Sequence, residues 1–147
     1  MRRFHFKLDK VLKVREFTKR AAEAELARKA GVVALLEHEL EENAVLTLSA
    51  GRQRFRPGGA ARDFLAAERY GVRLTQARER LMKALARAEF ERDKARQTYV
   101  EASRASELIQ KLRERGESAY YTIAKREETK VLDEVAAIAK TRALMGG

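Results

Sequence analysis

The sequence predicts an all-α protein: an antiparallel two-helix coiled coil, or long helical hairpin, with the second helix longer than the first. Three observations carry this. Residues 74–123 hold an apolar seam at alternating three- and four-residue steps: Leu74, Ala77, Leu81, Ala84, Ala88, Glu91, Ala95, Thr98, Ala102, Ala105, Ile109, Leu112, Gly116, Ala119 and Ile123, broken only by Glu91, Thr98 and Gly116. A mean step of 3.5 keeps one stripe facing a partner helix as the two supercoil. The composition, 37% charged and 7% aromatic with no Trp and a single Pro, suits a coiled coil and not a fold with a large core. Strong helix breakers concentrate in one short stretch, residues 51–59.

A first helix is predicted over about residues 4–50. Leu8, Leu12, Ala22, Leu26, Val33, Leu36 and Leu40 fall on one 3/4 register, with Arg15, Lys19 and Lys29 as its polar members. Val11, Val14 and Phe17 widen the apolar face at the start, and Val32 and Leu35 do so later. Asp9 lies in the first turns, where a carboxylate meets the positive end of the helix dipole. Gly51 is placed to cap the end.

The turn follows at 51–59, Gly-Arg-Gln-Arg-Phe-Arg-Pro-Gly-Gly. Pro57 lacks an amide hydrogen and disfavours helix at Arg56, and Gly58 and Gly59 offer positive φ. A short link between two amphipathic helices makes them antiparallel neighbours. The second helix is predicted from about residue 60 to 142, so that residues 1–147 form a single coiled-coil domain.

Charge is uneven along a chain of formal net charge +10. The first twenty residues carry Arg2, Arg3, Lys7, Lys10, Lys13, Arg15, Lys19 and Arg20 against Asp9 and Glu16. Residues 21–51 reverse the sign with Glu23, Glu25, Glu37, Glu39, Glu41 and Glu42, which antiparallel pairing sets beside Arg62, Arg69, Arg73, Arg78 and Arg80 as rim pairs. Such pairs fix orientation more than stability, at roughly 0–1 kcal/mol each. At 1.5 Å per residue the helices span about 70 and 125 Å. Pairing outward from the turn exhausts helix 1 when helix 2 reaches about residue 107. The remainder is apolar on one side through Ile109, Leu112, Tyr120, Ile123, Val131, Val135 and Ile138. It therefore calls for self-association, a fold-back at Gly116 or another protein's groove.

Several chemistries are excluded. With no Cys there is neither a disulfide framework nor a thiolate metal site. His5 and His38 are too few and too far apart for a metal centre, and no Ser has a neighbouring His to act as base. Gly58-Gly59 lacks the phosphate-cradling pattern of a nucleotide-binding loop. No cofactor and no catalytic residue are expected. No apolar run of about 18 residues spans a membrane, and Lys7, Lys10 and Lys13 interrupt any signal-like core, so a cytoplasmic location without membrane insertion is expected.

The first residues, Phe4-His5-Phe6-Lys7-Leu8-Asp9-Lys10-Val11-Leu12-Lys13-Val14-Arg15-Glu16, resemble the start of FliJ-type flagellar export proteins, F-x-F-x-L-x-x-V-L-x-x-R-E. Near the other end, Arg126-Glu127-Glu128-Thr129-Lys130-Val131-Leu132-Asp133-Glu134-Val135-Ala136 resembles that family's R-x-E-x-K-x-L-D-E-x-A. The resemblance implies a soluble, non-catalytic component of the flagellar type III export apparatus, shaped like the stalk of a rotary ATPase and peripheral to the basal body at the inner membrane. It implies three partners: the export ATPase hexamer at the paired termini, the cytoplasmic domain of the export gate near the turn, and export chaperones. Any ATP chemistry then belongs to the partner. Carried onto this chain, the ATPase end comprises Lys7, Lys10, Lys13, Arg15 and Lys19 with Ile123, Arg126, Lys130, Val131, Val135 and Ile138. The gate end comprises Leu36, Leu40, Phe64, Tyr70 and Leu74. The residues alone leave both Phe64 and Tyr70, with Phe55 and Tyr99, open between capping the seam and anchoring a partner. They also leave a second class of function open, a basic coiled coil that binds nucleic acid or an anionic membrane.

Overall fold

The computed structural model describes residues 3–54 and 56–147. Arg2 of the basic terminus and Phe55 of the turn lie outside the described residues. Two helices make up the fold: α1, Asp9–Arg54, and α2, Ala61–Met145. They form a helical hairpin, with α2 the longer. The chain divides into two compact units, one of Lys19–Ala102, which holds the turn, and one of Met1–Thr18 with Ser103–Gly147.

In the turn unit the seam of α1 follows the predicted register from Lys19 through Ala22, Leu26, Lys29, Val33, Leu36 and Leu40. Its next member, Asn43, is polar and only 6% exposed. Facing it, Leu74, Ala77, Leu81, Ala88 and Ala95 close the core, with Leu74 and Ala95 buried and the others half-buried. Half-buried Leu85 and Tyr99 stand where the strict repeat expected Ala84 and Thr98, which are exposed. The cause is the helix's own pitch: a straight α-helix drifts about 20° per heptad against a 3.5 repeat. Over several heptads the buried stripe moves on by one position.

The turn differs from its predicted form. Helix α1 continues through Gly51 to Arg54, so Gly51 caps nothing; the breaker is Pro57, followed by Gly58 at φ +89°. Arg54 forms an ion pair with Glu68, which leaves the first two turns of α2 beyond the end of α1. That overhang is why the outward count from the turn undershoots. The acidic part of α1 also does not pair with Arg62, Arg69, Arg73, Arg78 or Arg80 among the described residues, because these charges stand on outer flanks.

In the end unit, residues 3–6 precede the helix without helical structure, and α1 starts at Asp9 and not near Phe4. The Asp9 amide donates to Phe6 O at 3.2 Å and Leu12 N to Leu8 O at 2.9 Å. Asp9 and Glu16 are half-buried where Leu8 and Arg15 were expected, and Leu8 and Arg15 are exposed. Here the offset runs the other way along the chain: after Glu16 the stripe steps back onto the predicted register at Lys19. Leu12, 3% exposed, is the apolar centre of this unit. Phe4 folds onto α2, its ring centroid 5.7 Å from that of Tyr120. A Cβ built on Gly116 would stand 3.3 Å from Phe4 Cζ, so the missing side chain there makes room for the ring. Helix α2 runs unbroken through Gly116, and no fold-back occurs. From Lys125 onward every residue is exposed. The uncovered length thus begins after Ala124 and not at residue 108.

Candidate partner-binding surfaces

The turn unit presents a groove of about 460 Å³ lined by Gln53, Arg54, Asp63, Phe64, Ala67 and Tyr70 among others. Phe64 is 49% exposed and Tyr70 38%. Both rings carry a cation: the guanidinium of Arg54 is 5.6 Å from the Phe64 centroid, and that of Arg73 is 5.8 Å from Tyr70. A cation over an aromatic face is attracted by the ring quadrupole, so the arginines hold the two rings at the rim of the groove. Phe64 therefore does not seal the seam. Of the other residues expected at this end, Leu36 and Leu40 are half-buried seam members and Leu74 is a core residue. None of the three lines this groove. Tyr99 lies half-buried in the seam, away from this groove.

The end unit brings together Lys7, Lys10, Lys13 and Arg15, all exposed. Lys13 Nζ lies 3.1 Å from Asp9 Oδ2, and Arg113 Nη1 lies 3.9 Å from Asp9 Oδ1 across the two helices. Lys19 belongs to the turn unit and is half-buried. On the far part of α2, Ile123, Val131, Val135 and Ile138 are each more than half exposed. Val131, Val135 and Ile138 follow a 4/3 step that continues to Met145, so they line one stripe of the bare helix. Arg126 and Lys130 flank them, exposed and without an ion pair among the described residues. Leu132 and Leu144, which the seam did not include, are 68% and 76% exposed. A window count of apolar residues alone would have found them.

Among the described residues no group of His, Asp or Glu could hold a metal ion. His5 is exposed, and His38 Nε2 lies 3.3 Å from Glu42 Oε1 one turn along α1. Among the described residues no helix is long and apolar enough to cross a membrane.

The family model described as flagellar FliJ protein matches residues 4–144. The chain belongs to the FliJ family. Both motifs that carried the resemblance fall inside the match, as do both candidate surfaces. Membership makes the chain a FliJ-type component of the flagellar export apparatus, a non-catalytic class, and ties it to the flagellum and to protein transport. No curated relative and no solved structure matches this FliJ-family chain.

Proposed function

We propose that this protein acts as a stalk-like part and chaperone-like adaptor of flagellar export. Its end unit enters the export ATPase hexamer, and the groove beside its turn meets the cytoplasmic domain of the export gate. It is itself non-catalytic and sits peripherally at the basal body, with export chaperones as further partners. The observation that carries this reading is the bare length of α2: from Lys125 to Gly147 every residue is exposed, yet Val131, Val135 and Ile138 form an apolar stripe. A monomer has no physical reason to hold such a stripe in water. The exposed cations Lys7, Lys10, Lys13 and Arg15 in the same unit suit an electronegative protein cavity, where complementary charge steers entry. Apolar Ile and Val contribute little to reading a nucleic-acid duplex, which weighs against the nucleic-acid alternative.

The test is ATP hydrolysis by the cognate hexamer with the intact protein and with a form ending at Lys125. Stimulation by the intact protein alone is expected. Replacement of Lys7, Lys10 and Lys13 by Glu is expected to weaken it, more at low salt, where screening is least. Equal stimulation by the shortened form would remove this end from the mechanism. At the turn, Tyr70→Ala is expected to lower gate binding with helicity unchanged.

A further inference from the structure

The turn unit carries two rows of side chains that take no part in the contact between its two helices. On α2 the cations Arg73, Arg80, Arg87 and Lys94 recur every seven residues, all but Arg73 and Lys94 without any described contact, and none with a carboxylate partner among the described residues. Spaced by about 10 Å, these cations make a continuous basic stripe that an acidic surface complements. On α1 a second 3/4 stripe runs Ala21, Glu25, Arg28, Val32, Leu35, Glu39, Glu42 and Leu46, with Glu25 ion-paired to Arg28 and Lys29 and Glu42 to His38 along the same helix. Val32, Leu35 and Leu46 are 47%, 59% and 47% exposed.

Both rows lie on the same side of the hairpin. Gln53, one heptad beyond Leu46, and Tyr70, one heptad before Ala77, line one groove together. Arg73 stands over the Tyr70 ring, which sets the cation row just outside the Tyr70–Ala77–Ala84 row. The heights follow from the hydrogen bond of Asn43 Nδ2 to Leu74 O. Counting away from it in opposite directions, Glu42 is level with Thr75, Glu39 with Arg78 and Glu25 with Arg92, each within two residues of Arg73, Arg80 and Lys94 respectively. Arg28, the cation of the acidic row, is level with Glu89.

We infer that this side of the turn unit is a self-complementary surface on which a second copy of the chain docks, giving a two-fold four-helix bundle. A two-fold axis along the hairpin turns one copy over onto the other at unchanged height. It lays α1 of each copy over α2 of its partner. Acidic positions then meet basic ones twice over, as an isologous interface requires. Val32, Leu35 and Leu46 are covered by Ala77, Ala84 and the stems of the arginines. From Arg69 to Lys94 the helix is about 38 Å long, and two helices side by side are roughly 20 Å wide. The face offers roughly 750 Å² per copy, close to the ~800 Å² of a standard stable interface. This inference does not depend on the assignment of the two ends.

The experiment is sedimentation equilibrium of the full chain at low and high salt. A dimer at low salt that dissociates as salt rises is expected. The double variants Arg73→Glu with Arg80→Glu, and Glu39→Lys with Glu42→Lys, are each expected to weaken self-association at least tenfold. An equimolar mixture of the two is expected to recover a dimer, which misfolded variants would not do. A monomeric wild type at low salt, association that ignores both reversals, or failure of the mixture to recover would each overturn the inference.

Discussion

Asn43 offers the sharpest probe of how the hairpin is held. It occupies a seam position at 6% exposure. Its Nδ2 donates to Leu74 O at 3.1 Å, while its Oδ1 is buried without a partner among the described residues. The bond contributes about 0.5–1.5 kcal/mol, but an unsatisfied buried acceptor costs about 1–3 kcal/mol. Leu74 O sits mid-helix and keeps its helical bond when Asn43 is removed. Asn43→Leu therefore loses one modest bond, relieves one desolvation penalty and buries an apolar side chain, worth about 1.5–3 kcal/mol in its own right. A net stabilisation of about 2 kcal/mol is expected, read as a raised urea midpoint in circular dichroism at 222 nm. The loss should appear elsewhere, because a polar residue at a single seam position specifies register. The chain has no cysteine, so introduced pairs report register without background. With Asn43 in place, cysteines at Leu40 and Ala77 should cross-link and those at Leu40 and Ala84 should not. With Leu at 43, both pairs should. A variant less stable than wild type would refute the balance of terms, and unchanged cross-linking would refute the register role.

Three further outcomes follow from the same packing. Gly31 has nothing within 4 Å of a built Cβ, so Gly31→Ala should gain about 0.5–1 kcal/mol of helix stability, while Gly58→Ala, forced into φ +89°, should lose about 1–2 kcal/mol; paired urea titrations check both. Phe4→Ala removes the ring contact with Tyr120 and should cost about 1 kcal/mol, seen as faster amide exchange at Asp9 to Leu12 with the turn unit unaffected. Ending the chain at Lys125 removes only exposed residues and should leave the urea midpoint of the remainder unchanged; a lowered midpoint would mean the bare helix supports the hairpin.

The helices were legible because one signal, apolar periodicity, dominates each of them. What the periodicity could not supply was the slow rotation of the stripe. Ala84 and Thr98 on α2 each miss the seam by one residue, because a 3.5 repeat approximates a helix of slightly longer period. Asn43 was missed for a different reason. Its place in the 3/4 register was visible, but a polar residue gives no sign from sequence that it will be closed in. Gly51 misled because glycine is as tolerable inside a helix, at about 1 kcal/mol, as it is useful at its end. The tertiary pairing of Arg54 with Glu68 extends α1 past it.

The candidate site was legible only as an arithmetic remainder, and that remainder moved. Counted from the turn, α2 ran out of partner at residue 107; in the structure Phe4 reaches Tyr120 and cover ends at Ala124. The correction sharpens the functional reading. Tyr120 and Gly116, once grouped with the free end, are occupied in packing the first residues of the chain. The second motif of the family resemblance, Arg126 to Ala136, starts two residues beyond the last covered position. Had that motif served hairpin packing, it would lie against α1 or the segment before it. Instead every residue of it is exposed, with Val131 and Val135 on one stripe and Arg126 and Lys130 beside them. The proposed entry of this end into an electronegative protein cavity accounts for the placement, because an apolar stripe with flanking cations suits a concave, acidic-rimmed protein surface.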